Sequence, residues 1–273
     1  MNHVKSLIKD WLPPVVLRTV KGFRNGGVKF EGSYTSWEAA AAQCSGYDAE
    51  PILAKVLDAT LKVKRGEAAY ERDSVLFDEL EYDWPVVAGL MWAAAQSGGN
   101  LSVLDFGGAL GSSYFQNRAF LADLQTLRWS VIEQEHYAVA GRNHLQDDTL
   151  RFYTSIDECL RDNKPNLILL SSVLQYLPDA DRIIEDICRV GAQTILIDKT
   201  IVNHAQQHSI HVQRVPATIY EATYPCQSLS EKKLLEAFSS NYQLVSQFPS
   251  LEFSALDAID SKFNGYIFTK VRK

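Results

Sequence analysis

The sequence predicts an α/β protein whose core is a seven-stranded, mostly parallel sheet with helices on both faces. From Leu101 onward, short apolar strands alternate with helical segments, which is the pattern of parallel strands joined by helical crossovers. The central segment "NLILLSS" is largely apolar, as expected of a strand buried on both faces. The first 99 residues show helical periodicity and no convincing strand alternation, so they predict a helical appendage.

Seven strands are predicted after the appendage. They are LSVLDF, RWSVIE, LRFYT, NLILLSS, QTILIDK, YQLVSQFP and NGYIFTKV. Helical segments separate the first six, but none lies between the last two, so we expect an antiparallel hairpin with an antiparallel strand at one edge. Residues 100–273 therefore predict one Rossmann-like domain.

Residues 1–99 carry their own helix signals. Ser36 is a candidate N-cap with Glu38 in the first turn, and a later helical segment ends at Gly66. A further helical segment stops at Gly98 and Gly99. We expect this N-terminal appendage to act as a lid over the domain that follows.

The composition excludes some classes of protein. The chain of 273 residues has 27 Lys and Arg against 33 Asp and Glu, a net charge of -6, which argues against a general nucleic-acid binder. The four cysteines form no CxxC pair, so we expect free thiols in a reducing, cytoplasmic environment and no bound metal. They are Cys44, Cys159, Cys188 and Cys226.

The first 30 residues are basic and amphipathic. Such a segment can lie on an anionic membrane surface, so peripheral contact with the inner membrane is one interpretation. The alternative is a helix packed on the rest of the protein. No apolar run is long enough to span a bilayer.

The first strand of the sheet ends in the acid-led glycine turn "DFGGALG". Asp105, Gly107 and Gly111 match the spacing acid-x-Gly-x-Gly-x-Gly, with Ala109 at the middle glycine and an additional glycine at Gly108. No lysine follows, which excludes a P-loop, and GxGxxG fails. Alanine fits only if the backbone there has ordinary torsion angles. The acid suits a ligand ammonium group and repels a pyrophosphate, which favours S-adenosylmethionine.

The ends of the next strands supply the remaining cofactor candidates. Glu133 is placed to accept the two ribose hydroxyls at the end of the second strand, and its neighbours Gln134 and Glu135 are the alternatives. Contacts near the adenine are predicted from Ser155 and Ile156, after the third strand. The fourth strand places polar side chains at the floor of the pocket, namely Ser171, Ser172 and Gln175.

These motifs resemble the class I S-adenosylmethionine-dependent methyltransferases. More narrowly, "YERDSVLFDELEYDWPVVAGLMWAAA", "VLDFGGALGSSYFQNR", "LLSSVLQYLPD" and "VPATIYEATYP" resemble a family of bacterial methyltransferases from polysaccharide and lipopolysaccharide gene clusters. The resemblance implies S-adenosyl-L-methionine as cofactor, and by context a sugar hydroxyl of a glycan precursor as acceptor. Two alternatives are a non-catalytic partner protein in glycan assembly and a nicotinamide-dependent oxidoreductase.

Candidates for catalysis and acceptor binding lie outside the glycine turn. A hydroxyl acceptor needs a general base, for which His204 is the first candidate and His208 and Asp198 are the alternates. Metal binding by "HAQQHSIH" is disfavoured because no strong acid lies beside it. The acceptor is expected to contact a set of cationic and aromatic side chains, Arg72, Tyr82, Trp84, Tyr176, Tyr220 and Tyr224.

Overall fold

The structure is a computed structural model that describes residues 28–44, 49–72, 74–217, 221–250 and 256–271. Twelve strands are assigned within these ranges: β1 Lys29–Tyr34, β2 Tyr70–Arg72, β3 Val75–Phe77, β4 Asn100–Phe106, β5 Thr126–Ile132, β6 Leu150–Tyr153, β7 Leu167–Ser171, β8 Thr194–Asn203, β9 Ser209–Val215, β10 Ala222–Ser230, β11 Tyr242–Pro249 and β12 Lys262–Lys270. The α-helices of the same ranges are α1 Trp37–Ala41, α2 Ala49–Lys64, α3 Trp84–Gln96, α4 Ser112–Leu121, α5 Glu135–His144, α6 Ile156–Asp162, α7 Ala180–Val190 and α8 Glu231–Ser239. Short 3-10 helices span Leu174–Tyr176 and Asp257–Ile259. None of the described helices is long and apolar enough to cross a membrane.

The seven predicted strands form one continuous part of the large sheet, in the order β6-β5-β4-β7-β8-β12-β11. β4 to β8 pair in parallel, whereas β12 is antiparallel to both β8 and β11. The predicted Rossmann-like class and the C-terminal hairpin are therefore confirmed. The hairpin lies with β11 at the edge and the antiparallel β12 next to it.

Apolar side chains on the central strands alternate between the two faces of the sheet. Val103 and Leu169 belong to one buried cluster, and Leu104 and Ile168 belong to another. A sheet with two buried faces needs apolar residues at every position, which explains the continuous apolar runs in the sequence.

The first 99 residues are not wholly helical, which corrects the prediction of a helical appendage. They contain β1 as well as the hairpin β2–β3, and β1 pairs antiparallel with β9. Strands of three residues are too short to show alternation, and β1 has only one buried residue, Phe30, so periodicity could not reveal them. The Ser36 N-cap is confirmed, because its hydroxyl accepts from the Ala39 N–H at 3.1 Å.

The N-terminal helices share a core with the sheet. Val56 of α2 and Leu90 of α3 lie in the same buried cluster as Val103 and Leu169. At Gly89 of α3, an added Cβ would lie 2.9 Å from the Leu196 side chain, so this helix packs closely on β8. The helices α2 and α3 of the predicted lid are therefore part of the core of the domain.

A second sheet region extends from the long strand β8. β8 pairs with β7 only through residues 194–198, and its last two residues pair instead with β10. β9 and then β1 continue from β10 in antiparallel order. β10 was not predicted, whereas the segment SIHVQ within β9 has a pattern that indicates a strand. The two strands add a wall, β1-β9-β10, beyond the carboxyl end of β7.

Candidate functional site

A cavity of about 1510 Å³ lies at the carboxyl edge of the parallel strands, where open α/β sheets bind ligands. Its lining combines the glycine turn, the ends of β5 and β7, the hairpin strand β2 and the wall β1-β9-β10. Pockets for one small ligand usually measure roughly 300–1,000 Å³. This cavity therefore has room for two small molecules side by side.

The turn after β4 requires glycine at two positions. Gly107 has φ +74° and its N–H bonds the Ile132 carbonyl at 2.9 Å, while an added Cβ would collide with Val173. Gly111, with φ +88°, directly precedes α4. Gly107, Gly108 and Ala109 line the cavity. Gly111 does not line the cavity, and its left-handed backbone sets the direction in which α4 begins.

Ala109 has φ +49°, so the expectation of ordinary backbone torsion angles at the middle glycine position was wrong. The left-handed region costs an L-residue roughly 1–2 kcal/mol. The surrounding turn imposes this conformation, because the Ala109 N–H is held by the Glu133 carboxylate at 3.2 Å. Strain of this kind is typical of ligand-binding turns.

Asp105 lies beneath the turn and is 1% exposed. One carboxylate oxygen accepts from the Trp129 indole N–H at 2.9 Å, and the other has no hydrogen-bond partner. Burial, partly offset by the Trp129 bond and reinforced by the nearby Glu133 charge, raises the pKa of Asp105 to about 7. The oxygen without a partner is itself buried, because Gly108 of the turn covers the carboxylate.

Glu133 lies on the cavity wall after β5. Its two oxygens accept separately from the backbone N–H groups of Ala109 and Gln134, at 3.2 Å and 2.8 Å. Burial raises its pKa, and these two hydrogen bonds oppose that shift. Gln134 also lines the cavity, but it is exposed and precedes α5 as its N-cap. The geometry thus favours Glu133 as the fixed carboxylate of the site.

Polar residues after β6 and β7 also border the cavity. Ser155 and Ile156 lie on its wall, and the Ser155 hydroxyl caps α6 by accepting from the Glu158 N–H. Ser171 and Ser172 line it as well, Ser172 with φ +54°.

Gln175 is fully buried and is not among the cavity residues. Its amide donates to the Lys199 carbonyl at 3.0 Å and to the Ser172 hydroxyl at 3.2 Å. Its prediction as a cofactor contact is therefore corrected. It supports the floor of the cavity from behind, because a buried amide must satisfy its donors within the protein.

The predicted general bases do not lie on the cavity. His204 is largely exposed and its ring nitrogen is 3.3 Å from Glu231. His208 accepts from the Ser230 N–H and contacts Asp181 on the outer surface. Both side chains lie next to α7 and α8, because β8 extends past the cavity before the chain reaches His204.

Asp198 is also corrected as a candidate base. It is fully buried and pairs with Lys199 at 2.7 Å, and it accepts from the Ser171 and Ser250 hydroxyls. Asp198 does not line the cavity, so it is not placed to contact an acceptor there. Across the described ranges, no cluster of three His, Cys, Asp or Glu is placed to hold a metal ion.

The predicted acceptor residues divide into two groups. Arg72, Tyr176 and Tyr224 line the cavity. Tyr82 and Trp84 do not; they pack with Phe120 on the outer surface, and Trp84 is 59% exposed. Tyr220 falls outside the described residues, as do residues 1–27 of the N-terminal segment considered for membrane contact.

Several cavity residues were missed in the sequence. Lys199 pairs with Asp198 and, at 3.2 Å, with Asp83 of the α3 N-terminus. Burial alone lowers the pKa of Lys199, but these two carboxylates raise it above its ordinary value. Glu71 and Gln213 also lie on the wall. Among these residues, only Lys199 had a sequence feature that could have revealed it, because it lies at the end of a predicted strand.

Several solved methyltransferase structures are similar to this chain at low sequence identity and with TM-scores below 0.5. The N-terminal domain of EvdMO1, solved with SAH and D-fucose, is 12% identical, with a TM-score of 0.46 over 83% of this chain and 98% of that one. The Burkholderia thailandensis 1,6-didemethyltoxoflavin-N1-methyltransferase is 14% identical, with a TM-score of 0.41 over 89% and 100%. Human N-acetylserotonin methyltransferase with SAM is 13% identical, with a TM-score of 0.43 over 68% and 52%. At this similarity no ligand or reaction is transferred to this chain.

No protein-family model matches the chain, and no curated protein sequence matches it. The chemistry of the site must therefore be argued from the residues that line it.

Replacing Ala109 with glycine should stabilise the protein. Glycine removes a left-handed strain of roughly 1–2 kcal/mol but adds roughly 0.4–1 kcal/mol of chain entropy to the unfolded state. We expect Ala109→Gly to raise the free energy of unfolding by up to about 1 kcal/mol, measured by urea denaturation. The control is Ala119→Gly, in an exposed position of α4, which should lower it by about 1 kcal/mol. Equal destabilisation by both would show that the turn imposes no strain.

Proposed function

We propose that the protein is an S-adenosylmethionine-dependent methyltransferase that methylates a hydroxyl group of a sugar or glycan precursor. The observation that carries the proposal is a glycine turn bordered by carboxylates. Asp105 lies below the turn, and Glu133 is bonded to its backbone. This arrangement suits a ligand with a ribose and an ammonium group, and it disfavours a pyrophosphate.

The cavity residues fit that cofactor. Glu133 is held by two backbone donors, which leaves its carboxylate oriented to accept ribose hydroxyls as well. The negative charge of Asp105, buried directly beneath the turn, favours a ligand ammonium group on the cavity side of the turn. At Gly108, an added Cβ would lie 2.5 Å from the Asp105 carboxylate, so only glycine allows the turn to lie this close to the acid.

Nicotinamide cofactors fit less well. A pyrophosphate is normally bound by the N-terminus of the helix after the turn. Here, the Ser112 hydroxyl at that terminus donates to the buried carboxylate of Glu71. A second negative group would be repelled from the same place.

The cofactor supplies an electrophilic methyl group on a cationic sulfur. This chain's residues bind it, align the acceptor and exclude water, which together are the main requirements of a direct transfer. Among the described cavity residues there is no histidine. The reaction therefore relies on alignment within a closed pocket, with any proton acceptor drawn from the carboxylates and tyrosines of the wall.

The part of the cavity lined by α1 and the wall β1-β9-β10 suits a ring-shaped, polar acceptor. Trp37 and Tyr224 line it there, and their faces can pack on the apolar face of a ring. Gln213 links the two tyrosines of the wall, because it accepts from the Tyr176 hydroxyl and donates to the Tyr224 hydroxyl, both at 2.9 Å. A sugar ring has both apolar faces and hydroxyl groups for such contacts.

The reaction is tested by incubating the protein with methyl-labelled S-adenosylmethionine and a panel of nucleotide sugars and glycan extracts. Transfer of label to a sugar hydroxyl is the expected result. Binding of cofactor without transfer to any member of the panel would favour the non-catalytic alternative.

Replacing Glu133 with alanine should weaken cofactor binding. The change removes two charge-assisted hydrogen bonds to the ribose, which corresponds to roughly 2–4 kcal/mol. Calorimetry with S-adenosylhomocysteine measures the loss. Glu135→Ala, two residues away at an exposed position of α5, is the matched control and should bind normally. Unchanged affinity in a folded Glu133→Ala protein would place the ribose elsewhere.

Cofactor binding should weaken as the pH falls below about 7, where Asp105 takes up a proton in the ligand-free protein. The ligand ammonium favours the charged carboxylate, so binding releases that proton, and affinity should fall by up to about tenfold per pH unit below 7. Calorimetry with S-adenosylhomocysteine between pH 5.5 and 7.5 measures this slope.

Asp105→Asn should flatten the slope while keeping an acceptor for Trp129. This variant separates Asp105 from Glu133, whose pKa is also raised. An unchanged slope in Asp105→Asn would assign the pH dependence to another group.

A further inference from the structure

The hairpin β2–β3 brings a third acid, Glu71, to the glycine turn. Glu71 is 3% exposed, lines the cavity and accepts from the Ser112 hydroxyl at the first residue of α4. It also accepts from the Ser74 N–H at 3.3 Å within its own hairpin. The Glu71 carboxylate is therefore held on the cavity wall at the first residue of α4, whereas the Asp105 carboxylate is covered by Gly108.

A buried carboxylate is costly unless other groups balance its charge. The α4 N-terminus offsets part of the cost, because helix N-termini favour negative charge. Asp105, Glu133 and Glu71 nevertheless place three carboxylates around one turn. A cation bound between them would lower the free energy of all three.

The position of Glu71 indicates which part of the ligand it meets. Glu133 marks the ribose end, on the β5 side of the turn. Ser112 lies beyond the last glycine of the turn, on the side toward the hairpin. A ligand extending from Glu133 across the turn therefore brings its tail toward the Glu71 carboxylate on the cavity wall.

We propose that Glu71 binds the ammonium group of the cofactor's amino-acid tail and thereby selects a zwitterionic ligand. An ammonium group has three donors, so it can bond the Glu71 carboxylate either alongside the Ser112 hydroxyl or in its place. The inference rests on the proposed cofactor. It makes the N-terminal hairpin part of the cofactor site rather than only its cover.

The test compares two ligands that differ in this tail. S-adenosylhomocysteine carries the amino-acid tail, and 5′-methylthioadenosine has the same nucleoside without it. In Glu71→Gln, affinity for S-adenosylhomocysteine should fall roughly tenfold to hundredfold, and affinity for 5′-methylthioadenosine should stay within about threefold. Calorimetry measures both, so no acceptor is needed.

Three further variants separate charge from structure. Glu79→Gln, at an exposed position shortly after β3, should leave both affinities unchanged. Ser112→Ala removes the contact that anchors Glu71 but keeps the charge, so the preference for the zwitterion should persist. Glu71→Asp should retain more of that preference than Glu71→Gln, because it keeps the carboxylate.

Equal weakening of both ligands in Glu71→Gln would assign Glu71 a structural role and overturn the inference, as would no change in either. If Glu71→Gln does not fold, the wild-type protein decides: equal affinity for S-adenosylhomocysteine and its deaminated analogue would overturn the inference, and a preference for the former would support it. A wild-type protein that binds no S-adenosylhomocysteine would instead refute the proposed function.

Discussion

The Trp129 indole donates to Asp105 in the interior of the sheet, and the glycine turn lies directly on that carboxylate. The contact fixes how close the backbone comes to the acid, and so requires glycine at position 108. Because Glu133 bonds the next residue, Ala109, the turn is held from two sides. Its strained φ angles follow from those two anchors.

Strand β8 imposes a second constraint. It ends its pairing with β7 at Asp198 and continues to Asn203, where β10 takes over. At the point of change, Lys199 has φ +49° and pairs with Asp198 and Asp83. This buried ion group joins the sheet to α3. Removal of either Lys199 or its carboxylate partners would leave an uncompensated buried charge. The ion group therefore links the N-terminal region to the core.

The cavity therefore has a floor and a cover of different origin. The floor is built from strand ends, where polar side chains follow apolar runs. The cover is built from the hairpin β2–β3 and the wall β1-β9-β10. Hairpin residues Glu71 and Arg72 meet the cavity, but the neighbouring aromatic pair Tyr82 and Trp84 packs outward on Phe120. Only part of the lid segment faces the site.

The sequence alone determined the parallel sheet, the C-terminal hairpin and the acid-led turn with Glu133 at the next strand end. These features depend on periodicity and on spacing within short segments, which a sequence records directly. The Ser36 cap belongs to the same class, because its hydrogen bond joins residues three apart.

Only the tertiary structure decided which distant residues reach the cavity. His204 and His208 follow a predicted strand end, but β8 is long enough to place them beyond the site. Asp198 is buried in an ion pair with Lys199. Glu71 reaches Ser112, 41 positions away in the chain, and Gln213 reaches the two tyrosines of the wall. Such contacts depend on where whole strands end and cross, and local periodicity does not record that geometry.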